Sequence, residues 1–270
     1  MATTFHPEHR SAYASYMLLW NPDYFFWPED ERLETLASIE AGEPSEAQWS
    51  MSANHRQVQV GDRVYLRKTG QGDRGIVAAG WVQGEVIMQP HWDGSARAAT
   101  YVPISWDSLV DVDNPFNLEP ISQQFPSGIW RGMQSGMRIP DDATQELERQ
   151  WQGHFGRALR QEQNRDDVDH DSASPIERRY AVSVIRARRH QKSFRALLLQ
   201  NRELKCQVDG CPICDLRLLE AAHIVPDSDG GASSLDNGLL LCPNHHRALD
   251  VGLIDYDGDE FFWNEEVEPF

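Results

Sequence analysis

Over the first 150 residues the apolar positions fall in short, nearly unbroken runs: YMLLW (16–20), DRVYLRK (62–68), RGIVAAGWVQGEV (74–86) and ATYVPISWDSLV (99–110). Gly, Pro and Asp separate these runs as they separate strands, and their number predicts a compact barrel-like sheet. Two stretches change to a helical period. PEDERLETLASIEAG (28–42) carries acids in its first turn and ends at Gly42, and IPDDATQELERQWQGHF (139–155) opens on Pro-Asp-Asp. GRALRQEQNRDDVDHDSAS, from Gly156 to Ser174, has almost no apolar content and reads as a linker. A helical period returns in PIERRYAVSVIRARRHQKSFRALLLQNREL, where Val184, Phe194, Leu197 and Leu198 supply the apolar positions. RLLEAAHIV and GLLLC then read as strands, PNHHRALD as a helix with Pro243 in its first turn, and DYDGDEFFWNEEVEPF as an acidic tail. The expectation is an α+β protein with one domain over 1–155, a polar linker over 156–175 and a second domain over 176–270.

With 270 residues, 40% of them hydrophobic, and nine tryptophans, the chain can bury the cores of two domains. No apolar run spans a bilayer and MATTFHPEHR lacks the apolar stretch of a secretory signal, so no membrane partner and a cytoplasmic location are expected. The net charge of −17 argues against nucleic acid until its distribution is considered: Ile176 to Lys205 holds nine Lys/Arg and two acids. A basic segment on an acidic body is a local footprint for phosphates.

The four cysteines suit a metal site in a reduced compartment better than disulfides. Cys211-x2-Cys214 and Cys242-x2-His245 have the spacing of two zinc knuckles, each with a proline after its first cysteine, and predict a closed structural Zn²⁺ site. Cys206 is left over; it is able to replace His245 in a four-cysteine site, but its x4 spacing to Cys211 favours a free buried thiol. With all four positions filled by protein, such a site activates no water, so any chemistry lies elsewhere. His223, Asn237 and His246 remain, on a strand, loop, strand and helix. On that helix His246 and Asp250 share a face, and His245 is turned about 100° away.

This constellation resembles an HNH nuclease of the ββα-metal fold with treble-clef-like zinc knuckles. The match covers Phe194 to Ile254 and includes the preceding F-R-x-x-L-L helix. The resemblance implies hydrolysis of a nucleic-acid phosphodiester. His223 would be the general base, Asn237 would orient it or complete the metal site, and His246 would hold Mg²⁺ (or Mn²⁺) with Asp250 as second ligand. Many such nucleases carry Asp or His directly before the base. This chain has Ala222 there, and Glu220, on the same side of the strand, could reach the ion instead.

Eight tryptophans fall in the first 155 residues. The order MLLWNPDYFFW, WSMS and GDRVYLRKTGQGDRGIVAAGWV, from Tyr16 to Trp151, resembles the EVE family of PUA-like domains. Chains joining an EVE domain to an HNH domain look like type IV-like, modification-dependent restriction endonucleases that flip modified cytosine, 5-methyl or 5-hydroxymethyl, out of double-stranded DNA. That pattern implies a base pocket of Trp20, Asn21, Trp27, Trp49 and Ser50. Phosphate contacts are expected from Arg67 and Lys68 and, on the basic segment, from Arg186, Arg188, Arg189, Lys192 and Arg195. Cutting both strands with one site per chain calls for two copies, hence a homodimer on DNA. Two other readings compete: an HNH nuclease whose first domain reads RNA or unmodified DNA, and a DNA-binding module that has lost its catalytic site.

Overall fold

The computed structural model describes residues 13–264 apart from 42, 44, 96 and 169–175, with only the backbone given for 162–188 and 228. Seven strands make the large sheet: β1 (Ser15–Trp20), β2 (Glu46–Ser50), β3 (Arg63–Lys68), β4 (Gly75–Val82), β5 (Ile87–Pro90), β6 (Ala98–Leu109) and β7 (Met137–Arg138). Their order is β2-β6-β4-β3-β1-β7, with β5 paired to the start of β6. β1 and β3 are parallel and the remaining pairs antiparallel.

Helices cover both faces, which is why these strands read as continuous apolar runs and not as an alternation. Tyr16, Leu18 and Trp20 of β1 pack with Trp27, Trp49, Trp106 and Ile39, the last on α1 (Glu29–Ala41). The expected end of this helix at Gly42 lies outside the described residues. Met17 faces the other way, into a core with Tyr65, Ile121 of α2 (Glu119–Gln124), and Leu147 and Trp151 of α3 (Asp141–Val168).

The sheet is not the closed barrel expected from the strand count. Among the described strands no ladder joins β2 to β7, because β7 is two residues long and already pairs with β1. Ser135 bridges the gap instead: its Oγ donates to Ser50 O at 2.6 Å and accepts from Leu19 N at 3.2 Å. Its carbonyl accepts from Ser52 and Ala53. Gly136, at φ +93°, lets the chain turn where a Cβ would strike Met51.

The expected linker is corrected over its first half. α3 runs to Val168, since Phe155 and Leu159 extend the apolar stripe begun by Leu147 and Trp151, and the polar residues between them are good helix formers. Residues 169–175 lie outside the described residues. α4 (Ile176–Asn201) folds back antiparallel on α3, with Gly153 against Gln200, Gly156 against Ala196 and Arg160 Nη1 donating to Ser193 at 3.2 Å. Beyond α4 come the hairpin β8 (Glu220–His223) and β9 (Gly238–Leu241), α5 (Pro243–Asp250), and a short hairpin of β10 (Ile254–Tyr256) and β11 (Phe261–Trp263).

The two halves pack against each other around Trp81. Trp81 of β4 is buried in the C-terminal core with Phe194, Leu198 and Leu239. Its ring lies between the guanidinium groups of Arg63 (4.6 Å) and Arg217 (5.2 Å), and its Nε1 donates to Asp107 at 2.7 Å. Arg63 is fully buried; it pairs with Asp107 at 2.5 Å and with Glu148 at 3.1 Å. These carboxylates outweigh the cost of burying the guanidinium and hold its pKa well above the ordinary value. A bulge in the β4–β6 ladder leaves Asp107 without a partner on β4, and its carboxylate is the one that bridges Arg63 and Trp81.

Candidate active site and aromatic cleft

β8 and β9 pair with His223 opposite Gly238. With no side chain there, Phe194 of α4 reaches across and stacks on the imidazole at 4.3 Å, 20° from parallel. His223 Nε2 lies 3.0 Å from Ser233 Oγ. Burial lowers the pKa of His223, with Asp227 pulling it up and His190 and His246 pushing it further down, so the ring is neutral near pH 7 and able to accept a proton.

Asn237 sits fourteen residues on, as the spacing required, but it touches no imidazole. Its Oδ1 accepts from Val225 N at 2.7 Å while its Nδ2 donates to Val225 O at 3.0 Å and to Ala232 O at 2.9 Å. It thus closes the 225–232 loop that leads to Ser233. On α5, His246 is flanked by two carboxylates: Nδ1 is 2.8 Å from Glu220 Oε2 and Nε2 is 3.7 Å from Asp250 Oδ1. Ala222 is fully buried and offers no ligand. A hard carboxylate beside an imidazole nitrogen, opening on solvent, is a donor set that suits Mg²⁺ or Mn²⁺.

His245 faces elsewhere. Its Nδ1 approaches Cys206 Sγ (3.3 Å) and Cys242 Sγ (3.4 Å), and with Cys211 these residues bring four ligand atoms within 4.8 Å of one another. Three thiols and an imidazole in one cluster are the donors a tetrahedral Zn²⁺ takes. The expected ligand Cys214 is outside this group and Cys206, expected to be free, is inside it. The reason is local: Cys206 N donates to Ile213 O at 2.8 Å and Cys211 N to Val208 O at 3.1 Å, which folds 206–213 into one knuckle with Gly210 at φ +75°. Burial pushes the Cys206 thiol up to about 11, so a cation is what would draw it to thiolate.

Residues 206–254 match the family model described as HNH endonuclease. This part of the chain is an HNH nuclease domain. The protein is accordingly a nuclease that hydrolyses DNA phosphodiester bonds. No curated protein matches the chain. Among solved structures, a hypothetical protein from Leishmania major is 11% identical with a TM-score of 0.37, covering 52% of this chain and 96% of that one. The type IV phosphorothioation-dependent restriction endonuclease ScoMcrA is 16% identical with a TM-score of 0.21; the match covers 70% of this chain and 38% of that one. Both scores are too low to establish a shared fold. No helix among the described residues is long and apolar enough to cross a membrane.

Away from the HNH domain, the sheet opens a cleft of about 850 Å³ at the ends of β1, β2, β5 and β6. Trp20, Asn21, Trp49 and Ser50 line it. Trp27 does not; it packs edge-on to Trp20 (5.8 Å) and Trp49 (5.5 Å) from behind, as part of the core. Both lining indoles use their Nε1 internally, Trp20 on Phe25 O and Trp49 on Leu19 O, each at 2.9 Å, and both are largely buried, Trp20 at 3% exposure and Trp49 at 9%. Sequence reasoning missed Phe25, His91, Trp92, Met88 and Met133. Trp92 was legible in principle, since in HWDG it falls in a turn, outside any strand period, and 42% of it is exposed.

Five of the expected phosphate contacts are engaged within the protein. Arg67 is buried and donates to the carbonyls of Ile129, Trp130 and Gly132; Lys68 Nζ donates to Val112 O at 2.8 Å. Both underlie a second cleft of about 520 Å³ beside the first, where the exposed cations are Arg74 and Arg131. On α4, Arg189 bonds Glu40 of α1 at 2.6 Å, Lys192 bonds Ile39 O, and Arg195 bonds Leu219 O (2.9 Å) and Leu216 O (2.5 Å). These bonds fasten α4 to its neighbours. The side chains of Arg186 and Arg188 lie outside the described residues.

Proposed function

We propose that the protein is a modification-dependent restriction endonuclease: the aromatic cleft holds a modified cytosine flipped from double-stranded DNA, and the HNH domain cuts nearby. The observation that carries this reading is a cleft of about 850 Å³, walled by Trp20, Trp49, Phe25 and Trp92, in the half of the chain away from the HNH domain. That volume admits a nucleobase, indole faces stack one, and Asn21, Ser50 and Gln48 supply polar contacts to its edge.

In the HNH domain neutral His223 takes a proton from the attacking water, with its Nε2 against Ser233 and its ring held in plane by Phe194. Asn237 keeps the loop carrying Ser233 in place. His246 and Asp250 would hold a Mg²⁺ or Mn²⁺ ion, which when bound supplies charge stabilisation at the phosphate and the leaving 3′ oxygen. Zn²⁺ on Cys206, Cys211, Cys242 and His245 would be structural. Two copies on one site would account for cutting of both strands.

The test is digestion of matched plasmids carrying cytosine, 5-methylcytosine or 5-hydroxymethylcytosine with Mn²⁺, alongside a phosphorothioate-bearing plasmid and single-stranded RNA. Cleavage confined to a modified-cytosine plasmid, lost in Trp49→Ala, is the expected result. Equal cutting of modified and unmodified DNA, or preference for the phosphorothioate or the RNA, overturns the reading of the cleft without touching that of the HNH site.

A further inference from the structure

We infer that Glu220 is the positioning residue of the nuclease metal site: its carboxylate fixes the ring and tautomer of His246 so that Nε2, beside Asp250, is the nitrogen offered to the ion. This inference rests on the assignment of His246 and Asp250 as the residues that hold the divalent ion.

Glu220 opens β8, opposite Leu241, the residue before the cysteine from which α5 starts. That register sets its side chain against the first turn of α5, and Oε2 meets His246 Nδ1 at 2.8 Å. A carboxylate so placed accepts a proton from Nδ1, which leaves Nε2 unprotonated and able to coordinate. Nδ1 and Nε2 lie on opposite sides of the imidazole. A single ion on the Nε2 and Asp250 side is therefore out of reach of the oxygen that binds Nδ1. Consistent with this, among the described residues Glu220, His246 and Asp250 do not form a group whose ligand atoms all lie within 4.8 Å, as the three cysteines and His245 do.

Ala222 makes the arrangement matter. It lies two residues along the same strand face, is fully buried, and offers no ligand. With two protein ligands in place of three, the affinity of the site depends heavily on how well each is oriented. His246 is on a short surface helix and half-exposed, so Glu220 is what limits its rotation.

The experiment uses the full chain and the variants Glu220→Ala, Glu220→Gln, His246→Ala and Asp250→Ala, each checked for retained zinc and an unchanged melting temperature. In the metal-free wild type, imidazole ¹⁵N shifts should report His246 with its proton on Nδ1. Glu220→Ala should lose that signature, and Glu220→Gln should keep it through its carbonyl oxygen. The Mn²⁺ concentration for half-maximal cleavage should rise about 10–100-fold in Glu220→Ala, with the rate at saturating Mn²⁺ little changed. It should rise less in Glu220→Gln. Adding Glu220→Ala to His246→Ala should change nothing further.

An unaltered tautomer or an unaltered half-saturation in Glu220→Ala overturns the inference. So does complete loss of cleavage at every Mn²⁺ concentration in a folded Glu220→Ala, which would make Glu220 a ligand or a catalytic group. If His246→Ala and Asp250→Ala leave the metal dependence untouched while the tautomer signature follows Glu220, it is the assignment of the metal site that fails.

Discussion

Asn237 offers the sharpest test of how the nuclease site is built, because the residue bonds neither the base nor the His246 pair. Its three hydrogen bonds, one accepted from Val225 N and two donated to Val225 O and Ala232 O, hold the loop from which Ser233 meets His223. Each such bond contributes about 0.5–1.5 kcal/mol net, so Asn237→Ala should weaken loop closure by roughly 2–4 kcal/mol, the lower end applying because the site is open to water. At about 1.4 kcal/mol per factor of ten, the lower half of that range makes the ordered loop roughly 30- to 140-fold rarer. Single-turnover cleavage at saturating Mn²⁺ should slow by that factor while the Mn²⁺ half-saturation stays at the wild-type value. Asn237→Asp should be at least as slow, since it keeps the acceptor for Val225 N but turns two carbonyl oxygens toward a carboxylate. A raised half-saturation with a normal plateau rate would refute the reasoning and make Asn237 a metal ligand; a wild-type rate in both variants would refute it as well.

The remaining expectations follow from the same geometry. Cys206→Ser should lose bound zinc by elemental analysis and Cys214→Ser should retain it, the reverse of what the x2 spacing alone implies. Trp81→Ala should cost about 3–5 kcal/mol in urea unfolding, because it empties a buried indole from the shared core and uncovers Arg63. Trp263→Ala, a largely exposed site, should stay within about 0.5 kcal/mol. His223 must be neutral to act and burial lowers its pKa, so the cleavage rate should rise with pH through a value below the ordinary 6.5 and then level off. Asp227→Asn removes an upward influence on that pKa and should move the acid limb to still lower pH.

What the sequence made legible was whatever is set by neighbours along the chain. The strands and helices around His223, Asn237 and His246 were readable from period and punctuation, and the separation of His245 from His246 followed from the 100° step of a helix. The cleft residues Trp20, Asn21, Trp49 and Ser50 were also reached, by resemblance. What failed depended on partners distant in sequence. Arg67 and Arg195 look like phosphate ligands in a string of basic residues, and nothing nearby reveals that the carbonyls of Trp130 and Leu219 engage them. Cys214 stands outside the thiol cluster and Cys206 inside it because the x2 rule assumes a tight turn, whereas the bond from Cys206 to Ile213 makes a wider loop. The linker was misread because helix formers without large apolar residues look the same whether they pack on a partner or float in solvent. The burial of Leu159, the close approach of Gly156 to Ala196 and the bond from Arg160 to Ser193 distinguish the two.

That last correction bears on where such an enzyme would cut. A nuclease on a flexible tether samples a range of distances from its reader and leaves a spread of cut positions. Here α3 and α4 form a packed hairpin, Trp81 is keyed into the far core and Arg189 is clasped by Glu40, so the separation between the cleft and His223 is a fixed dimension of the fold. On the proposed reading the molecule would act as a ruler, its product ends registering at one offset from the bound base.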